Sequence, residues 1–549
     1  MLKSKTRLAS ANQKEADICL LLEGTYPYTM GGVSTWTHEL IQMQKHLTFS
    51  IVAIISADTP AKLAYKLPDN VISMQTLRLQ GMPKGVASLP ANKEAELFSA
   101  LEKSLLRLQS KADLKDLAKI IHAIVPYRHK LGKRLLFDSY ATWQMLLHMY
   151  KDTMPKTSFL DYFWSWRGLF GGLFSILLAE LPKAKAYHAL CTGYAGLLLA
   201  RAHIETGRPC VLTEHGIYTN ERRIEIASAH WLDDPDNFNL TITAKQDREL
   251  KDFWIDTFGN YSRLCYEACS RIITLYEGNQ EFQRMDGADC TKMTVIPNGI
   301  DTVRYGAIKR IPHAPAVALI GRVVPIKDIK SYIKSVHILR QSLPDIRAYM
   351  IGPEDEDPEY AKECRELVEH LQLGQSFIFT GKVNTEEYLG MIDVIVLSSI
   401  SEAQPLVILE AGAAGIPTVA TDVGACREMI MGTADANLQE PKLRAGGMVV
   451  PLSNPRSIAN AVFKLLTKPD YYRQCSEAIV ERVCRYYNKS DQYKAYATLY
   501  RQLTGAGEDS ALAVPEKVEI QESRKEKKET LNSLFPTSLA VLDPVTSVG

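Results

Sequence analysis

Short apolar runs alternate with helix-patterned segments, and they do so in two successive series along the chain. Residues 17–22, Asp-Ile-Cys-Leu-Leu-Leu, read as a buried strand. A loop containing Gly24, Gly31 and Gly32 follows, then a helical segment over 33–46 and a second strand over 49–56. Strand, loop, helix, strand is the βαβ unit of a parallel sheet. The rhythm resumes with a strand at 186–190, a helix at 193–203 and a strand at 210–213. Further strands at 271–275 and 293–296 lead into Pro297-Asn-Gly-Ile-Asp301, a turn by composition.

The second series begins after Ala307. Strands are expected at 317–320, 347–351, 377–380, 394–397 and 418–420, with helices over 327–343, 359–371 and 386–391 between them. Glu410 is expected to open a further helix over 411–415. The body therefore reads as α/β, two doubly wound units joined near 302–312. A length of 549 residues is too great for one hydrophobic core and agrees with two domains or three.

Between the first strands and the renewed rhythm, Leu and Lys or Arg recur at helical spacing, as in LFSALEKSLLRLQ and LKDLAKIIHAI. A mostly helical insertion over about 84–180 is expected. It ends in the most apolar stretch of the chain, residues 161–180, which Arg167 interrupts. The clean run 168–179 falls short of the roughly 20 residues a spanning helix needs, so a buried core helix is expected. Phe163, Trp164 and Trp166 just before it suit the alternative, an interfacial or partner-binding helix.

Lys+Arg 64 against Asp+Glu 63 gives a net charge of +1, so no chain-wide basic footprint for nucleic acid exists. The 10 cysteines are scattered without a Cys-x-x-Cys pair, which suits free thiols in a reducing cytosol. The first 17 residues carry no apolar stretch, so no signal peptide is expected. Residues 505–549 mix ESRKEKKE with Pro and Ser and read as a disordered tail.

In open parallel sheets, ligands bind at the carboxyl ends of the strands. The first sheet presents Gly31-Gly32 at a helix start, where backbone amides can approach a phosphate; a tight turn is the plainer reading. The second presents Gly321-Arg322 and then Lys327. Two cations near a helix start suit a diphosphate, or else a solvated ion pair. Glu402 and Glu410 stand eight positions apart, the second among Leu, Val, Ile and Ala. A carboxylate there needs a partner, either ligand hydroxyls or a helix end to cap. Thr213-Glu214-His215-Gly216 ends a strand of the first unit, where His215 can donate to a ligand hydroxyl or serve structure alone.

In their order and spacing these motifs resemble the retaining glycosyltransferases of family 4, which have the GT-B fold: two Rossmann-like domains facing across a cleft. The resemblance covers about residues 17–500. It rests on Gly31-Gly32, Gly321-Arg322 with Lys327, Glu402 with Glu410, and Gly424 and Glu428 in DVGACREMI. The segments LLLEGTYPYTMGGVSTW, LTEHGIYTNERRIEI, TLYEGNQ, IPNGID and GRVVPIKDIK are similar to members that act in bacterial exopolysaccharide synthesis.

The resemblance implies an N-terminal acceptor-side domain over 1–305, a nucleotide-sugar domain over 306–485, and a helix over 486–504 that crosses back to the first domain. It implies that Arg322 and Lys327 neutralise the donor diphosphate, and that Gly31 and Gly32 approach it from the other domain. Glu410 would bind the ribose hydroxyls and Glu402 the sugar hydroxyls. His215 would lie by the sugar, and the nucleobase near Gly352, Pro353 and Val383. The implied reaction is metal-independent transfer, with retention, from a UDP-linked sugar to a glycan acceptor, with no cofactor beyond the donor. Asp233-Asp-Pro-Asp236 sits in a polar loop and is discounted as a metal site. A cytoplasmic protein, membrane-associated through an inner-membrane polysaccharide synthase complex, is expected. The rival expectations are a catalytically silent GT-B scaffold of such a complex and another GT-B enzyme, such as a phosphorylase or a sugar-phosphate synthase.

Overall fold

The computed structural model describes residues 14–56, 62–111, 113–227, 250–432 and 443–505. Two parallel sheets form. The first contains β1 (Ala16–Glu23), β2 (Phe49–Ile55), β3 (Val71–Arg78), β4 (Ala184–Ala189), β5 (Cys210–Glu214), β6 (Arg271–Thr274) and β7 (Met293–Val295), in the order β3-β2-β1-β4-β5-β6-β7. The second contains β8 (Ala316–Ile320), β9 (Arg347–Ile351), β10 (Phe377–Gly381), β11 (Val394–Leu397), β12 (Thr418–Thr421) and β13 (Gly447–Val450), in the order β10-β9-β8-β11-β12-β13. Both are doubly wound, as the alternating rhythm leads one to expect. Their strand order reverses beside β1 and beside β8, and crevices open at such switch points. Gly31-Gly32 follows β1, Gly321-Arg322 follows β8, and the loop of Glu402 follows β11.

The inner strands are the most deeply buried. Every residue of β2 is buried, and β1 is buried at all but two positions. Strand β3 has no uninterrupted apolar run, because it is an edge strand, half-exposed along its length and interrupted by Ser73, Gln75 and Thr76. Strand β13 is only four residues long and opens on Gly447, whose missing side chain lets it lie against the backbone of Thr418.

Between β3 and β4 the chain runs through five α-helices: Ala91–Leu108, Leu114–Ile124, Lys133–Leu136, Tyr140–Thr153 and Phe159–Leu178. With the helices Tyr194–Thr206 and Leu250–Ala268 they build one core against one face of the sheet. Phe159–Leu178 is its central member, with Trp166, Leu169, Phe170, Leu173 and Phe174 all buried. Each such burial stabilises by about 1.5–3 kcal/mol relative to exposure. The apolar stretch is therefore a core helix. Among the described residues no helix is long and apolar enough to cross a membrane.

Two local readings need correction. The helix expected from Lys327 begins at Ile329; Pro325–Lys327 is a separate 3-10 turn, and Asp328 (φ 46°) caps the helix by accepting from the Ser331 amide. Glu410 does not open a helix. It lies inside Leu406–Ala413, which starts just after Pro405. Leu-Val-Ile-Leu resembles a strand by composition, but in the helix Ile408 and Leu409 are buried in one cluster with Ile479 and Val483.

Helix Lys489–Thr504 follows the second domain in sequence and packs on the first. Tyr496 hydroxyl meets Thr213 Oγ1 at 3.0 Å, Tyr500 hydroxyl meets His188 Nδ1 at 2.7 Å, and Lys489 pairs with Glu39 at 2.8 Å. The two chain crossings lie side by side: the Ile300 amide donates to Tyr487 O at 2.9 Å and the Lys489 amide to Ile300 O at 3.0 Å. All ten cysteines are free thiols. The polar leader up to residue 13, the Asp233-Asp-Pro-Asp236 segment and the tail beyond Gly505 lie outside the described residues.

Candidate active site between the two sheets

On the second domain, the ends of β8, β9 and β10 are locked together by backbone. A side chain at Gly352 would collide with the carbonyl of Gly321, and φ of +151° also requires glycine there. The Gly352 amide donates to Gly381 O at 3.1 Å and the Val323 amide to Pro353 O at 3.0 Å. Gly321, Gly352-Pro353 and the Gly381–Val383 loop thus share one edge, with Val383 partly buried beside Tyr305 and Tyr388.

Lys327 projects back over Gly321 and forms an ion pair with Glu402. Ser399 Oγ donates to the same Glu402 oxygen at 2.6 Å. The two side chains keep only 17% and 12% of their surface exposed. Ser398 Oγ donates to the carbonyls of Lys327 and Asp328 at 2.8 and 2.9 Å, fixing the turn that carries the lysine. Gly424 explains itself by packing: at φ +51° it lies against the carbonyls of Glu402 and Ala403, and the Ala425 amide donates to Ala403 O at 2.8 Å. Arg322 stands apart from this cluster. Its guanidinium is 53% exposed and pairs with Glu356, an arrangement worth little in water.

Glu410 is only partly accessible and accepts from the Tyr305 hydroxyl at 3.1 Å; burial raises its carboxyl pKa. Glu428 is raised to about 7 by burial and by Glu277, which approaches it from the first domain.

On the first domain, Gly31 is extended (φ 166°) and Gly32 begins the helix Gly32–Met43, whose first turn has no side-chain cap. A side chain at either glycine would meet nothing within 4 Å. Neither strain nor packing demands glycine here, and close approach of a ligand is what such bare amides allow. Four residues on, Trp36 turns its ring edge-on to His215, with centroids 4.7 Å apart. Burial pulls the His215 pKa down to about 4, so its ring is neutral at neutral pH, and its Nε2 has no hydrogen-bond partner. Next to it, a side chain added at Gly216 would come within 3.9 Å of Ala403, the neighbour of Glu402.

The structure therefore joins most of the candidate residues in one contiguous series across the cleft. The Gly31-Gly32 helix contacts His215 through Trp36, the neighbouring Gly216 faces Ala403 in the Glu402 loop, and Glu402 pairs with Lys327 over Gly321. The domains are further tied by Gln404, which accepts from the Asn298 amide at 2.6 Å and donates to Leu275 O at 3.3 Å. Arg322, Glu410 and the Gly352–Val383 edge flank this line.

Two acids, Glu214 buried and Glu23 partly buried, carry no role in the sequence reading. Glu214 accepts from Tyr266 hydroxyl at 2.8 Å, Gln283 Nε2 at 2.9 Å and the Tyr218 amide at 3.2 Å, and burial lifts its pKa to about 7. Glu23 ends β1 and accepts from the Ala195 amide at 3.0 Å and Tyr218 hydroxyl at 2.9 Å. The signal for both is the same: an acid closing an otherwise apolar strand. No group of His, Cys, Asp and Glu able to hold a metal ion occurs among the described residues.

Comparison with known proteins divides the chain in the same place as the sheets. Residues 16–291 match the family described as Domain of unknown function (DUF3492), and residues 308–482 match Glycosyl transferases group 1. An alpha-maltose-1-phosphate synthase of Mycolicibacterium smegmatis is 24% identical over 268 residues, covering 44% of this chain and 65% of that protein. The lipopolysaccharide core mannosyltransferase LpsB of Rhizobium meliloti is 26% identical over 223 residues, covering 38% and 61%. These matches leave more than a third of each relative's length uncovered.

Among solved structures, sucrose-phosphate synthase from Thermosynechococcus elongatus superposes with a TM-score of 0.54 at 16% identity, over 89% of this chain and 100% of that one. Anabaena Alr3699/HepE in complex with UDP gives 0.53 at 14% identity, over 88% and 100%. At such identities the likeness establishes the fold, which is GT-B. The DUF3492 match takes in half of the chain, and the protein belongs to that family, with a glycosyl transferases group 1 domain completing its second half.

Proposed function

We propose that this protein is a retaining glycosyltransferase that moves a sugar from a UDP-linked donor onto a growing polysaccharide. The observation that carries the reading is the series across the cleft, from the bare Gly31-Gly32 amides through His215 to the Glu402–Lys327 pair. As the bond to the donor sugar breaks, negative charge builds on the leaving diphosphate. Lys327 and the helix amides supply fixed positive charge on two sides of it. Arg322 gives up only an exposed pairing with Glu356 to join them, which costs little. Removing one preorganised partner of this kind costs on the order of 10²–10³ in turnover.

Glu402 is then placed for the donor sugar hydroxyls and Glu410 for the ribose. On the same reading the Gly352-Pro353 and Val383 edge would receive the base. A neutral His215 can donate or accept at the sugar without carrying charge. In this reading the chain's own cations do the work of neutralising the leaving group, and no metal is assigned a step.

The finer reading rests on the quoted segments, from LLLEGTYPYTMGGVSTW to GRVVPIKDIK. They resemble PelF, the cytosolic glycosyltransferase of Pel exopolysaccharide synthesis. On that resemblance the acceptor is the growing exopolysaccharide, and the protein works beside an inner-membrane synthase complex. A panel of nucleotide sugars assayed for nucleotide release tests the proposal: one UDP-sugar should be consumed by the wild type and spared by Glu402→Gln. Calorimetry separates the enzyme from a catalytically silent scaffold, which would show no UDP binding at millimolar concentration.

A further inference from the structure

A cavity of about 300 Å³ opens in the first domain on the carboxyl edge of its sheet, where no donor residue lies. Glu23 reaches it from the end of β1, Tyr194 from the residues after β4, and Tyr218 from those after β5. Tyr218 is three positions beyond His215, so the cavity adjoins the reacting region. Its outer wall comes from the helix Leu250–Ala268, through Trp254 and Phe258, and from the helical insertion, through Gly168 and Gly172. Side chains at either glycine would close the space. One at Gly168 would come within 3.2 Å of the Trp254 ring, and one at Gly172 would run into the Tyr194 ring.

The lining has a definite chemistry. Tyr194, Tyr218 and Trp254 are grouped around Phe258, with centroid separations of 5.7, 5.9 and 6.3 Å. The Arg222 guanidinium lies 5.0 Å from the Tyr218 centroid and 5.8 Å from that of Phe258. Opposite it, the Glu23 carboxylate is held by the Ala195 amide and the Tyr218 hydroxyl. One cation stands against two acids, Glu23 and Glu225, so the pocket does not suit a phosphate or another anion. Aromatic faces with one fixed acceptor and one fixed donor suit a neutral pyranose, whose ring C–H face is apolar and whose edge carries hydroxyls. The volume is at the small end for ligand pockets, which run about 300–1,000 Å³, and leaves room for little more than a sugar ring.

We propose that this cavity binds a sugar of the acceptor chain, with Glu23 and Arg222 holding its hydroxyls and Trp254 its ring face. The helical insertion then serves acceptor recognition. The proposal rests on the glycosyltransferase reading, and its test separates the two. Saturation-transfer NMR is run with methyl α-glucoside, methyl α-galactoside and methyl N-acetyl-α-glucosaminide as probes. UDP binding is followed in parallel by calorimetry. The wild type should bind at least one pyranoside. Trp254→Leu and Arg222→Gln should each weaken that binding about tenfold. UDP affinity should stay unchanged in both variants, and each should still melt in one cooperative transition. Trp254 and Arg222 are both partly buried, and Arg222 also pairs with Glu225 at 2.5 Å, so thermal melting of both variants separates lost binding from lost folding. No pyranoside binding, or binding undiminished in both variants, overturns the pocket assignment while UDP binding still stands. A wild type that does not bind UDP overturns the donor reading, and with it the acceptor role.

Discussion

Replacing Lys327 by Ala isolates the leaving-group charge from the rest of the fold. In the structure the lysine is paired with Glu402, which also accepts from Ser399 Oγ. Both partners are mostly covered, so the pair lies between an exposed one, worth about 0–1 kcal/mol, and a fully buried one, whose breakage costs about 3–5 kcal/mol. A loss of about 2 kcal/mol of stability follows, or a melting shift of roughly 4–8 °C for a domain of this size. Charge-assisted hydrogen bonds to a diphosphate contribute about 1.5–3 kcal/mol, so Lys327→Ala should weaken UDP binding by roughly 10–100-fold. Glu402→Ala should do the opposite. It removes the competing anion and leaves the lysine free for phosphate, so UDP should bind as tightly as before or more tightly, although transfer falls. Calorimetry with UDP on both variants, each checked by thermal melting, decides the matter. Unchanged UDP affinity in Lys327→Ala, or weaker affinity in Glu402→Ala than in Lys327→Ala, would refute the reasoning.

Arg322→Ala should leave the melting temperature within about 2 °C, because its pair with Glu356 is exposed, yet reduce UDP affinity about tenfold by calorimetry. Gly32→Ala should fold normally and gain up to about 1 kcal/mol of helix stability, since its new methyl meets nothing, while the donor KM rises; an unchanged KM would remove the amides from the phosphate site. Glu214 has a folded pKa of about 7 against an unfolded value near 4.5, so the folded state holds the proton more tightly. Its contribution is full below the unfolded pKa and is lost as pH rises through 7, a change of up to about 3 kcal/mol. Glu214→Gln should flatten the fall in stability over that window in denaturant titrations at a series of pH values. Gly424→Ala should destabilise the second domain and lower transfer, because the Glu402 loop must move away from the new methyl; a normal melting curve with normal turnover contradicts that packing argument.

The alternation of apolar runs with helical segments was enough to read two doubly wound sheets, because inner strands of parallel sheets are buried on both faces and show it as uninterrupted apolar residues. It failed at β3, whose outer position lets Ser73, Gln75 and Thr76 stand in the strand. It failed at Leu406–Ala413, where only tertiary packing tells a helix from a strand. Lys327 and Glu402 were each legible as charged residues at strand ends. Their pairing was not, since 75 positions separate them and only the β8–β11 adjacency brings them together. The bonds of Gln404 to Asn298 and Leu275 join two domains and have no local signature at all. Glu23 and Glu214 close strands in plain view, yet most of their partners, Ala195 and Tyr218 for Glu23 and Tyr266 and Gln283 for Glu214, lie far along the chain. Glycine was the most informative residue where its reason could be separated: Gly352 and Gly424 answer to backbone crowding, whereas Gly31 and Gly32 face open space.

The most direct test is a crystal structure with UDP bound. The diphosphate should lie between the domains, within hydrogen-bond reach of Lys327 Nζ and of the Gly31 or Gly32 amide, with the Arg322 guanidinium turned toward it from Glu356. A diphosphate bound outside the cleft, or one contacted by neither the lysine nor the glycine amides, would contradict the account.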